Sequence, residues 1–169
     1  AITHQKFGGS HYSFNRMTWI KPNFLWMMYR AGWATKTGQE RILAISMTKS
    51  GFSDFLKEGV YSSFQKDKYE SHEHWKSELG KSEVRIQWDP DHDPHGYKIS
   101  RSAIQIGIKG DQVAKLNEEY IREIIDISDF VHEQHQILKK DFASLKVIQE
   151  AVVELDSSLR EKYSILVSY

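Results

Sequence analysis

Residues 24–29 read Phe-Leu-Trp-Met-Met-Tyr, six large apolar side chains in succession between Pro22 and Gly32. A helix over 22–31 built from them has no polar face, and a helix apolar all round belongs inside a protein. Pro22 suits its first position, where a missing N–H costs nothing, and Gly32 suits a left-handed stop. Phe24, Leu25 and Met28 are therefore expected in the core. The surrounding stretch 16–33 holds three of the five tryptophans and three of the four methionines, and it has no acidic residue. Its cations need water, a carboxylate or a ligand, because an unpaired buried charge is strongly unfavourable. Arg16, Thr18 and Lys21 are thus candidates for contact with an anion.

Elsewhere the apolar residues alternate. Leu43, Ile45 and Met47, then Val84, Ile86 and Trp88, then Ile104, Ile106 and Ile108 each follow the two-residue period of a strand. Phe52, Phe55 and Leu56 lie at helical spacing in 50–59, with Gly59 as the stop. Residues 65–82 are polar and read as an exposed loop or short helix. The run "DPDHDPHG" (89–96) predicts an abrupt end to the second strand. Asp111 can cap a helix with Val113, Leu116, Tyr120 and Ile124 on one stripe. Past a break near 126–129, another helix turns Phe130, Ile137 and Leu138 inward, and 144–162 reads as an amphipathic helix or a helix and a turn. Strands early and helices late predict an α+β class: one domain over 1–169, a small mixed or antiparallel sheet packed with helices, and a helical C-terminal half.

At 169 residues the chain can bury a real core. Lysine plus arginine equals aspartate plus glutamate at 23 each, so no global field draws in nucleic acid or membrane. The charge is nonetheless uneven. Residues 16–41 carry five cations and one acid, whereas 110–161 carry twelve acids and six cations. A phosphate-bearing small molecule or a nucleic acid would suit the positive end. The absence of cysteine excludes disulfides, thiolate zinc sites and cysteine nucleophiles. No apolar run reaches membrane-spanning length, and a cytoplasmic location is expected. Neither a dinucleotide glycine motif, a Walker A loop, a G-x-S-x-G elbow nor a kinase set occurs.

Several polar residues stand beside apolar ones. Lys36 lies in the loop 32–41, which joins a buried helix to a strand, a common place for pocket residues. Asp89 directly follows a strand and is the best candidate for a functional carboxylate, as a partner for Arg16 or Arg101. Gln105 and Gln87 each need a buried partner if their sheet face is covered. Asp89, Asp91, His92, Asp93 and His95 offer donors for a divalent cation, but their spacing matches neither an EF-hand nor H-E-x-x-H, and no metal site is expected. Arg16, Lys21, Trp33 and Gln105 are expected to converge on one pocket.

On "RMTWIKPNFLWMMYRAGWATKTGQERILAI", "VRIQWDPDHD" and "RSAIQIG" the chain resembles the domain-of-unknown-function family 4291, in order from about residue 1 to 131 and again at "REKYSI". That resemblance implies a further strand and helix before the equivalent of Ala1, but no activity. The order of elements, with a late glutamine-bearing strand, also resembles the ADP-ribosyltransferase superfamily, whose sheet is split and holds NAD. It implies that Arg16 grips phosphate, that Trp19 or Tyr29 stacks on nicotinamide and that Gln105 orients ribose. Thr18, Lys21, Trp33, Lys36 and Arg101 complete the expected cofactor site, and Gln105 and Asp89 are the expected catalytic residues. Two functions follow: an NAD-dependent transferase acting on a nucleic acid, nucleotide or protein, and a non-enzymatic module binding a nucleotide or single-stranded RNA.

Overall fold

Strands β4 (Val84–His92) and β5 (Lys98–Ile108) run antiparallel and form the centre of the molecule in a computed structural model that describes residues 1–165. On the far side of β5 lies β1 (Thr18–Ile20), antiparallel to it, and beside β4 lies β3 (Val60–Tyr61), parallel to it. The sheet order is therefore β1-β5-β4-β3. A separate antiparallel pair joins β2 (Leu43–Met47) to β6 (Ile121–Asp126). The fold is α+β, and its mixed sheet and its hairpin-like pair are two distinct sheets.

Alternation along β4 and β5 divides the larger sheet into two faces. Val84, Ile86, Ile106 and Ile108 lie on one face and are fully buried against Phe55 and Leu56 of α2 (Lys49–Glu58), with Val113 and Leu116 closing the cluster. Val113 belongs to α4 (Asp111–Lys115), which continues as a π-helical turn over Leu116–Tyr120. A second cluster joins Phe24, Met28 and Ala31 of α1 (Phe24–Ala31) to Trp33, Ile42 and Val131, the last on α5 (Ser128–Lys140).

Several elements differ from their expectation. Helix α1 begins two residues after Pro22, with Asn23 as its N-cap, and ends as expected at a left-handed Gly32 (φ 58°). Gly59 does follow α2, yet its φ of −65° needs no glycine. The reason is space: a Cβ there would meet Ile86 Cγ1 at 2.5 Å and the Tyr163 hydroxyl at 2.7 Å. The polar stretch contains α3 (His72–Lys81), capped by the Ser71 hydroxyl and without a buried residue.

Strand β4 does not stop at Trp88 but runs on through Pro90 to a bulge before His92. Because β3 pairs only with Arg85 and Ile86, β4 has a free edge beyond them, the setting where a strand tolerates proline. The stripe from Val113 also breaks, and Ile124 sits in β6 opposite Ile45. Isoleucines favour strands, and Gln5 stabilises this one by bonding the Ile124 N–H (2.6 Å) and carbonyl (3.0 Å) through its side-chain amide. Beyond a single 3-10 turn (Phe142–Ser144), residues 145–156 are irregular, and α6 (Ser157–Lys162) follows.

Met28 is 1% exposed, whereas Leu25 is only partly buried at the edge of the second cluster. Met28→Ala should therefore lower unfolding free energy by about 2–5 kcal/mol, and Leu25→Ala by clearly less, as measured by urea denaturation.

Candidate functional site

Opposite the isoleucine face, the larger sheet is polar. Arg85 and Trp19 flank Gly107 in register, Gln87 lies directly across from Gln105, and Asp89 lies across from Ala103. Gly107 is required here, since a Cβ would come within 2.8 Å of Met17 Cγ and 3.1 Å of the Trp19 ring. The Asp89 carboxylate accepts from the Gln105 amide and, at 3.1 and 3.2 Å, from the Gln87 amide. The Ser62 hydroxyl donates to Gln87 Oε1 at 3.5 Å. Both glutamines thus find the partner that a covered face demands, and Asp89 is that partner.

Lys21 follows β1 directly. The chain still tracks β5 there, because the Ile104 N–H donates to the Asn23 side chain at 3.3 Å, so Lys21 falls opposite Gln105 on the polar face. Its ammonium donates to the Trp19 carbonyl (3.3 Å) and lies 5.8 Å from the centre of the Trp26 ring. Among the described residues no carboxylate reaches it. Burial first, and the positive charge of Arg30 second, lower its pKa to about 8. Arg30 in turn bonds only the Gln39 side chain, at 3.2 Å. Two cations therefore stand together with no acid among the described residues to balance them.

Arg101 is not a partner of Asp89. Its guanidinium holds Asp91, which is fully buried, with Nε at 2.9 Å, and it reaches Glu150 at 3.0 Å. Glu150 also accepts from the Phe24 N–H (2.7 Å), so one carboxylate caps α1 and closes the ion network. His92, beside Asp91, is 3% exposed; its ring stacks on Tyr29 at 3.6 Å, and neither ring nitrogen has a hydrogen-bond partner among the described residues.

The remaining expected site residues scatter. Arg16 is exposed in the bend before β1, near the end of β5 where the Gly110 N–H donates to the Phe14 carbonyl, and Lys21 leaves the other end of β1. Thr18 lies on the isoleucine face and bonds the Tyr12 hydroxyl. Trp33 is a core residue whose indole N–H donates to the Pro94 carbonyl at 3.2 Å. Lys36 folds back on α1, donating to the carbonyls of Tyr29 (3.1 Å) and Arg30 (2.9 Å). The expected convergence of Arg16, Lys21, Trp33 and Gln105 is therefore corrected: at most Lys21 shares a sheet face with Gln105, and Arg16 and Trp33 lie elsewhere. Glu150 is the residue that sequence reasoning missed, and Asp91, considered there only as a donor for a cation, is the buried partner of Arg101. The bulge between Pro90 and His92 breaks the two-residue period that would have placed Asp91, and nothing local marks Glu150.

Neither of two cavities is lined by Lys21, Asp89 or Gln105, although the larger reaches Pro22 and Asn23 next to Lys21. One, of about 400 Å3, touches the polar cluster only through Gln87, and the other, of about 830 Å3, opens on the isoleucine face. Among the described residues no group of three histidines or carboxylates is placed to hold a metal ion, and no helix is long and apolar enough to cross a membrane.

An α+β protein with one polar sheet face and an unbalanced pair of cations is the class that these features define. The chain belongs to the family described as Domain of unknown function (DUF4291), whose profile matches residues 1–154. No curated protein and no solved structure matches it, so the ADP-ribosyltransferase resemblance gains no support from a structural neighbour.

Two substitutions test this geometry. Arg101→Met would leave the buried Asp91 carboxylate without its cation. The loss should be about 2–3 kcal/mol, under the ~3–5 of a fully enclosed pair because Arg101 is half-exposed, and urea denaturation measures it. Lys21 is a charge that folding disfavours below about pH 8, and the penalty is relieved as pH rises towards its ordinary value of 10.5. Lys21→Met should therefore raise the melting temperature at pH 7, with the gain shrinking by pH 10.

Proposed function

We propose that this protein, in the cytosol, binds a phosphate-bearing nucleotide, with NAD the leading candidate, over the surface marked by Lys21 and Arg30. One observation carries the reading: a half-buried ammonium beside a guanidinium, with no carboxylate of the described residues in reach. A phosphate would supply the missing negative charge through charge-assisted bonds. Trp26, next to the ammonium, is buried, whereas Trp19, only partly buried, sits on the same sheet face as Gln105 and offers an aromatic surface. Aromatic faces of this kind stack on bases.

Isothermal titration with NAD, ADP and inorganic phosphate tests the reading. NAD and ADP should bind more tightly than phosphate, and added salt should weaken all three. Lys21→Gln should abolish binding, whereas Arg16→Ala, at the other end of β1, should leave it unchanged. Because an anion favours the charged ammonium, binding should take up protons at pH 8 and almost none at pH 6, where Lys21 is already charged. Binding that survives Lys21→Gln would overturn the assignment.

Glycosyl transfer from NAD is a second reading with its own observation. Gln105 and Asp89, 16 residues apart in sequence, bond one another on the face that carries Lys21. Nicotinamide release from NAD that disappears in Gln105→Ala would support it, and binding without release would leave a non-enzymatic nucleotide module.

A further inference from the structure

The cavity on the isoleucine face plays no part in the nucleotide reading. Its volume of about 830 Å3 lies within the range of small-molecule sites. Phe52 and Leu56 of α2, Ile104 and Trp88 of the sheet, and Leu155 supply apolar walls. The outer wall is the irregular segment 152–155, and α6 closes one end with Arg160.

Two features make this more than a packing gap. First, Arg160 lines the cavity half-buried, and its guanidinium forms no ion pair or hydrogen bond with a described residue. A cation beside apolar walls favours an anion with an apolar body. Glu154 also lines the cavity but is exposed, so it disfavours a second negative charge on the occupant. Second, the outer wall is lightly held. Among the described residues, 147–155 donate no backbone–backbone hydrogen bond, and the Glu150 side chain is their one polar anchor to α1 and Arg101. Val152 is 96% exposed, so the segment can move aside without uncovering its side chain further.

We infer that this cavity binds a small apolar monocarboxylate, its carboxylate on Arg160 and its hydrocarbon body against Phe52, Leu56, Ile104 and Trp88. A phosphate monoester would fit less well, since it sets a dianion between one cation and Glu154. Lys21 does not line the site, although its neighbours Pro22 and Asn23 do.

Decanoate, 1-decanol and decyl phosphate serve as probes, followed by isothermal titration and by quenching of tryptophan fluorescence. Decanoate should bind one to one and more tightly than either of the others. Arg160→Gln should weaken decanoate at least tenfold and leave decanol unchanged. Ser102→Trp, at an exposed strand position on the cavity wall, should exclude both, with circular dichroism confirming the fold. Lys21→Gln should have no effect. Absence of saturable binding would overturn the inference. So would equal binding of decanoate and decanol unaffected by Arg160→Gln, tighter binding of decyl phosphate, or uptake of several equivalents.

Discussion

The antiparallel pairing of β4 with β5 is the constraint on which the rest of this structure depends. Its register places Ile86 across from Ile106 and Gln87 across from Gln105. A slip of one residue would bury the glutamines among Phe55 and Leu56 and turn the isoleucines outward. The apolar face fixes the register, because only one alignment lets Val84, Ile86, Ile106 and Ile108 all leave water. The polar cluster is a consequence: Asp89 meets two amides on the opposite face because the isoleucines meet on theirs.

Glu150 plays the corresponding part between the sheet and its surroundings. From an otherwise irregular segment, it accepts the first N–H of α1 and pairs with Arg101, which holds the buried Asp91. Three separate stretches of chain thereby share one network of charge. Such a network orients elements more than it stabilises them, since desolvation offsets much of the attraction. It holds the start of α1 against the strands, and so bears on where Lys21, three residues before the helix, can lie.

Much of the fold is legible locally. Period-two alternation marks β2, β4 and β5, and Gly32 marks the end of α1, because each depends on neighbours within a few residues. The errors are instructive. Proline reads as a stop to β4 because local sequence cannot show that β3 ends early and leaves a free edge. Ile124 reads as part of a helical stripe because three- and four-residue spacing within a short window also admits a strand, and only the presence of β2 decides between them. Of the candidate site, Lys21, Asp89 and Gln105 are legible as polar residues beside apolar ones. Trp33, Lys36 and Arg101 are expected beside them, yet Trp33 packs in the core, Lys36 caps a helix and Arg101 joins an ion network.

The sequence by itself determined the α+β class, the core helix and the inventory of charges that need partners. These follow from periodicity, propensity and the cost of burying a polar group, all properties of short segments. The tertiary structure alone decided the partners: Asp89 for Gln105, Asp91 for Arg101, Glu150 for the α1 N-terminus, and, among the described residues, no acid for Lys21. The reason is physical. Several carboxylates could neutralise any one cation, and the choice among them is made by strand register and helix docking, which are set by apolar burial across the whole chain.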